Sequence, residues 1–178
     1  MSHFSHSDDR IEQAHKEHIN KYKMAHCIGV AEFMRENAEK YGIDPDVAYT
    51  VGLLHDIGYL EGRRDHEATG ADILTATFGE NVDRSVINAI AYHGTNPYKL
   101  NQEDITPIHV LLIDADMSVN ARGFRVGHED RLKDIARRYG TDGIEFETAS
   151  ATVRYVEEYQ DKQLNRSQHK HKTDEREM

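Results

Sequence analysis

From residue 10 to residue 161 the apolar side chains recur mostly at three- and four-residue steps, and no stretch of useful length alternates at period two. Such spacing lines one face of a helix but gives a strand no consistent inside, so the pattern predicts an all-α fold. Breakers divide it. A first helix is expected over 10–20 and a second over Tyr22–Tyr41, where Ala25, Ile28, Ala31, Met34 and Ala38 form a stripe and Gly42 stands just past the end. Asp44-Pro45 supplies a cap and a first-turn proline for a helix through His55, whose interior is apolar on almost all sides and therefore central. Asp65 is the expected cap of a helix over 66–78 closed by Gly79, and 82–93 makes another ended by Gly94. Pro107 opens a helix reaching about Val119, and helices over 128–139 and 145–161 follow. No internal repeat interrupts the series.

The length of 178 residues suits one domain, here a helical bundle over 10–161. A folded stretch of about 150 residues buries about 70% of its unfolded surface, so folding needs neither disulfide nor structural metal. The single Cys excludes an internal disulfide and Cys-rich zinc modules, and it suits a reducing compartment. Residues 1–9 and 162–178 are polar and are expected to be flexible ends; they carry His3, His6, His169 and His171. The absence of any apolar run near 18 residues, and of a charged-then-apolar leader, predicts a cytoplasmic protein without membrane contact. A net charge of −10 disfavours general affinity for nucleic acid, which needs clustered Lys and Arg to replace phosphate counterions. Homodimerisation stays open, since the sequence carries no interface signal.

The chemistry lies in polar residues set among apolar neighbours. His26 sits in KMAHCIGVAEFM, His55 and Asp56 end VGLLHDIG, His93 ends VINAIAYHG, and Asp114 and Asp116 interrupt HVLLIDADMS. An ionised carboxylate in such surroundings is costly unless it is paired or bound to metal. Imidazole and carboxylate together form the ligand set of Fe, Mn, Zn and related divalent ions, and helical bundles build such sites from facing helices. Taken singly, each histidine has a plainer reading. His26 or His93 alone fits a hydrogen-bonded core residue, His66 a first-turn surface residue, and His109 a core or rim residue. His15, His18 and His128 read as surface residues in polar surroundings.

Taken in order, His26, then His55-Asp56 within LLHDIG, then Asp116 within DADMS, resemble the H…HD…D pattern of the HD-domain metal-dependent phosphohydrolases. His66 in DHEATGADIL and His93 in AIAYHGT are similar to the additional histidines of some HD branches, and Arg122 to the arginine of an AD…R stretch. The order and spacing most resemble the bacterial HD hydrolases that split diadenosine tetraphosphate symmetrically, and the likeness covers roughly residues 26–122. It implies two divalent ions, Fe, Mn or similar. His26, His55, Asp56 and Asp116 would hold one, and Asp56 would bridge to a second held by His66 and His93. Tyr59 and Val119 depart from that branch, which has Lys and an acidic residue at those places.

The implied activity is hydrolysis of a small phosphorylated substrate, a nucleotide such as a dinucleoside polyphosphate. Asp56 is the catalytic carboxylate, and the attack comes from a metal-activated hydroxide. Arg122, Arg63 and Arg64 are the expected substrate-binding cations, and with the metals they would offset the repulsion an acidic chain offers a polyanion. The same ligand set is compatible with a di-iron oxygenase of the same superfamily or with a non-catalytic nucleotide- or metal-sensing module.

Overall fold

The computed structural model describes residues 8–19, 21–61 and 65–174. The expected flexible start therefore lies largely outside the described residues, and Arg63 and Arg64 lie wholly outside them. Among the described residues there are eight α-helices: α1 (Asp9–His18), α2 (Lys21–Asn37), α3 (Pro45–Leu54), α4 (His66–Phe78), α5 (Arg84–Tyr92), α6 (Pro107–Asp116), α7 (His128–Tyr139) and α8 (Ile144–Asp174). The only β-type pairing among them is one bridge between Val119 and Arg125. The all-α reading holds.

Local chemistry explains most boundaries. Asp44 opens α3 by accepting from the amides of Asp46 at 2.8 Å and Val47 at 3.1 Å, with Pro45 at the first position. Asp83 opens α5 in the same way through the Ser85 amide. Asp65 does not act as expected: it precedes α4 in the left-handed region at φ 59° and makes no side-chain cap bond. The helix after Pro107 stops at Asp116, short of Val119, and the chain turns through Met117 and Ser118. The last helix runs past 161 to Asp174. Residues 162–174 contain no Gly or Pro to break it, and their polar composition leaves 162–170 exposed.

The core is built around α2, α3 and α6. Cys27, Val30 and Met34 from α2, Val51 and Leu54 from α3, and Leu111 and Leu112 from α6 are fully buried, and Leu74 and Ile90 complete the cluster from α4 and α5. Burial of each large aliphatic chain contributes about 1.5–3 kcal/mol. α6 is the most central helix, with every residue from Ile108 to Ala115 buried. α2 and α3 approach closely because Gly52 has no side chain; a Cβ there would lie 2.5 Å from the Ala31 Cα. α7 has no fully buried residue and rests on α8 and the end of α6 through Leu132 and Ile135, which pack on Met117, Ala149 and Val153.

Candidate metal centre

Helix ends deliver most of the candidate ligands to one place. His55 and Asp56 follow the last residue of α3, His93 follows the last residue of α5, Asp116 ends α6 and His66 begins α4; His26 comes from within α2. Gly58 permits the convergence. A Cβ on it would lie 2.0 Å from the His66 carbonyl oxygen and 2.5 Å from the Gly70 nitrogen, so only glycine lets the turn after Asp56 lie on the first turn of α4.

Asp56 sits at the middle. Its Oδ1 lies 3.3 Å from His66 Nε2 and 3.6 Å from His93 Nε2, and its Oδ2 lies 3.5 Å from His55 Nε2. Asp116 Oδ1 is 2.9 Å from His26 Nε2 and 3.7 Å from His55 Nε2. His55 thus faces both carboxylates. The rings pack edge to face, with centroids 5.3 Å apart for His26 and His55 and 5.2 Å for His55 and His93.

The backbone fixes the orientation of three of these rings. His26 Nδ1–H donates to the Asn120 carbonyl at 3.1 Å, His55 Nδ1–H to Gly52 at 2.7 Å and His93 Nδ1–H to Ile90 at 2.7 Å. A carbonyl only accepts, so Nδ1 carries the proton and Nε2 of the neutral ring presents a lone pair. The Asn120 carbonyl reaches His26 because the loop after α6 lies directly on α2. A Cβ on Gly29 would meet the Gly123 oxygen at 2.6 Å, and Gly123 itself, at φ 83°, would meet the Ala25 oxygen at 2.3 Å.

The electrostatics follow from burial and crowding. Burial alone would raise Asp56, yet His55, His66, His93 and Lys23 hold its carboxyl well below the usual carboxylate range. Burial likewise opposes Asp116, and His26 and His55 hold it down. His93 is lowered by burial, but the hydrogen bond and charge of Asp56 outweigh this and push it up to about 9. Two ionised carboxylates therefore lie close together, Asp56 buried and Asp116 partly open, each faced by imidazole rings.

This donor set fits divalent metal. His26, His55 and Asp116 form one group, His55, Asp56 and His93 a second, and His66, Glu67 and His93 a third; within each, the ligand atoms lie within 4.8 Å of one another. His55 Nε2 is fully buried without a hydrogen-bond partner while facing two carboxylate oxygens. A lone pair so placed needs a cation between it and the oxygens, and imidazole–carboxylate sites anchored by backbone carbonyls are how proteins hold one.

The remaining polar residues lie outside this cluster. Asp114 points away from the centre: its Oδ1 accepts from His128 Nε2 at 2.8 Å and Ser118 Oγ at 3.3 Å, and its Oδ2 from Gln160 at 3.2 Å. His128 is therefore a half-buried tie rather than a surface residue, and His15 is half-buried as well. His109 is buried with its Nε2 unpartnered, and burial followed by the charge of His93 pushes it down to about 4. Arg122 is exposed on the loop after α6 and lines a cavity with Arg131, Arg137 and Arg138.

Two neighbours of the centre escape the sequence reading. Lys23 donates to Asp56 Oδ2 at 3.1 Å with its ammonium 4.1 Å from the centre of the Tyr59 ring. Its only signal is the three-residue step to His26 on one helix face. Glu67 lies 3.3 Å from His66 Nδ1, signalled only by adjacency.

A helical bundle that brings four histidines and two aspartates together defines a class, the all-α proteins with a candidate metal centre built largely at helix ends. Within it, the chain belongs to the HD domain family, whose sequence model matches residues 24–121. Curated relatives include ribonuclease Y of Petrotoga mobilis, 30% identical over 141 residues, which cover 75% of this chain and 24% of that protein. Ribonuclease Y of Thermotoga maritima is 34% identical over 139 residues (74% of this chain, 24% of that protein), and that of Clostridium tetani 31% over 134 (68% and 24%). The chain thus spans about a quarter of the length of these relatives. They are ribonucleases by name, not the diadenosine tetraphosphate hydrolases that the motif order resembles. No solved structure gives a significant match. No helix among the described residues is long and apolar enough to cross a membrane.

Proposed function

We propose that this chain is a metal-dependent phosphohydrolase domain that cleaves phosphoester bonds of nucleotide substrates, with an RNA phosphodiester as the favoured class. The observation that carries the reading is Asp56, a buried carboxylate with one oxygen facing His66 and His93 and the other facing His55. The ribonuclease Y relatives support RNA over a dinucleoside polyphosphate. On the same ground the exclusion of nucleic acid from a net charge of −10 no longer stands, because local arginines rather than the total decide phosphate contact.

In this reading His26, His55, Asp56 and Asp116 hold one divalent ion, Fe, Mn or similar, and Asp56, His66 and His93 a second. When bound, the ions supply an acidified water and neutralise charge on the phosphoryl oxygens. The residues do the rest. The carbonyls of Asn120, Gly52 and Ile90 keep three imidazoles facing inward. Asp56 stays ionised, held by the imidazoles around it and by Lys23, which places a positive charge beside it at the margin of the site. Burial of His26, His55 and His93 keeps bulk water from the centre. The test is Mn- or Fe-dependent cleavage of an oligoribonucleotide, run beside diadenosine tetraphosphate. Failure to cleave either substrate would overturn the reading.

A further inference from the structure

The centre is closed on most sides. Side-chain exposure is 4% at His26, 0% at His55, 4% at Asp56 and 3% at His93, against 17% at His66 and 26% at Asp116. A substrate therefore enters beside His66 or Asp116. On the Asp116 side, between α6, α7 and α8, lies a cavity of about 270 Å³ whose lining includes His93, Asp116 and Arg131. Met117, Ile135, Ile144 and Ala149 make much of its remaining wall apolar, with the Glu145 carboxylate as its one further charge. A second cavity, of about 370 Å³, also has Arg131 in its lining, beside Arg122, Arg137 and Arg138 and the carboxylates of Asp130 and Asp134. Arg131 is the residue the two share.

Arg131 is poorly satisfied by the protein. Its side chain is only 17% exposed, its Nη1 reaches Asp134 Oδ2 at a long 3.5 Å, and its Nε is buried with no acceptor. Asp134 is also engaged by Arg137 at 2.7 Å and Arg138 at 2.8 Å, so three guanidinium groups share one carboxylate. The second cavity carries four arginines against two aspartates, in a chain whose net charge is −10. A buried N–H without an acceptor is destabilising, and a guanidinium with free donors is the side chain best shaped for phosphate.

We propose that the apolar cavity receives the nucleoside next to the scissile phosphate, and that Arg131 binds the phosphate on the far side of that nucleoside. The substrate class is then a nucleoside flanked by two phosphates, and the face of Arg122, Arg137 and Arg138 is the path of a continuing phosphate chain. The proposal rests on the phosphohydrolase reading for its scissile phosphate. Apolar walls suit a base, and a guanidinium with free donors beyond them favours a strand over a lone monoester.

The test separates the two claims by reading binding apart from turnover. Metal-free protein is titrated calorimetrically with adenosine 3′,5′-bisphosphate, adenosine 5′-monophosphate and ADP. The bisphosphate is expected to bind at least about tenfold more tightly than the monophosphate, in the range of one charge-assisted contact, and Arg131→Gln is expected to remove that difference. Equal affinities in the unsubstituted protein, or an Arg131→Gln protein that keeps the difference, would overturn the proposal. Tighter binding of ADP than of the bisphosphate would overturn the placement of the phosphates on opposite sides of the nucleoside. Ile144→Trp keeps the test open should Arg131→Gln fail to fold, because Ile144 is 59% exposed at the cavity and tolerates a larger side chain. It is expected to weaken the bisphosphate at least about fivefold, and unchanged binding would contradict the assigned cavity. Metal-dependent cleavage of the dinucleotide pApA is measured separately. Cleavage without Arg131-dependent binding rejects the groove and keeps the hydrolase, whereas Arg131-dependent binding without cleavage rejects the hydrolase and keeps the groove.

Discussion

His26 Nε2 lies 2.9 Å from Asp116 Oδ1, although the two residues are 90 positions apart in the chain. The other ring nitrogen of His26 is held by the Asn120 carbonyl, four residues beyond Asp116. One histidine is therefore fixed by a helix end and by the loop that follows it. That loop can lie on α2 only because neither Gly29 nor Gly123 carries a side chain.

Gly123→Ala tests the clamp. The residue has φ 83°, and the added Cβ would meet the Ala25 carbonyl oxygen at 2.3 Å, so the loop must lift and carry the Asn120 carbonyl with it. Loss of an outer-shell partner of a metal-binding histidine weakens metal affinity by about 10–100-fold. Calorimetric titration with Mn²⁺ checks this, and an affinity unchanged from the unsubstituted protein would remove Asn120 from the account.

Metal is expected to stabilise the fold. A divalent ion at about one hundred times its dissociation constant adds about 2.7 kcal/mol, which for a domain of this size raises the melting temperature by about 5–10 °C. The same addition should leave Asp56→Asn nearly unmoved, because the amide cannot replace the charge at the middle of the site. A thermal scan with and without Mn²⁺ decides it, and equal shifts in the two proteins would place the bound metal elsewhere.

His128 gives a pH dependence. Its hydrogen bond to Asp114 comes first among the causes that raise its pKa, against burial. A group raised in the folded state contributes stability that is complete below its unfolded pKa of about 6.5 and is lost as pH rises through the folded value. A hydrogen bond to a charged group is worth about 1.5–3 kcal/mol. Denaturant unfolding of the unsubstituted protein and His128→Gln should therefore differ most near pH 6 and converge at higher pH. A gap that widens with pH would contradict the pairing.

These residues also show what the sequence could reveal. The span of α4 was readable at 66–78 because Gly79 ends a clean apolar period, and His55, Asp56, His93 and Asp116 were visible as polar residues inside apolar runs. His128 was not, because its partner Asp114 lies on another helix and HEDRLKD looks like a solvent-facing start. Lys23 and Glu67 were hidden for the same reason: a charged residue near a helix start reads as surface until the tertiary fold closes over it. The full extent of α8 is not legible in the sequence, because periodicity reports burial and the exposed residues 162–170 have nothing to bury.

The central claim is that Asp56 and the histidines around it support metal-dependent phosphoester cleavage, and one assay tests it most directly. Protein stripped with EDTA is incubated with a 5′-labelled oligoribonucleotide, with and without restored Mn²⁺, beside Asp56→Asn under the same conditions. The account predicts cleavage that appears only with Mn²⁺ and is lowered at least about a thousandfold in Asp56→Asn, equivalent to about 4 kcal/mol of transition-state stabilisation. Cleavage that persists in EDTA, or that survives intact in Asp56→Asn, would contradict it.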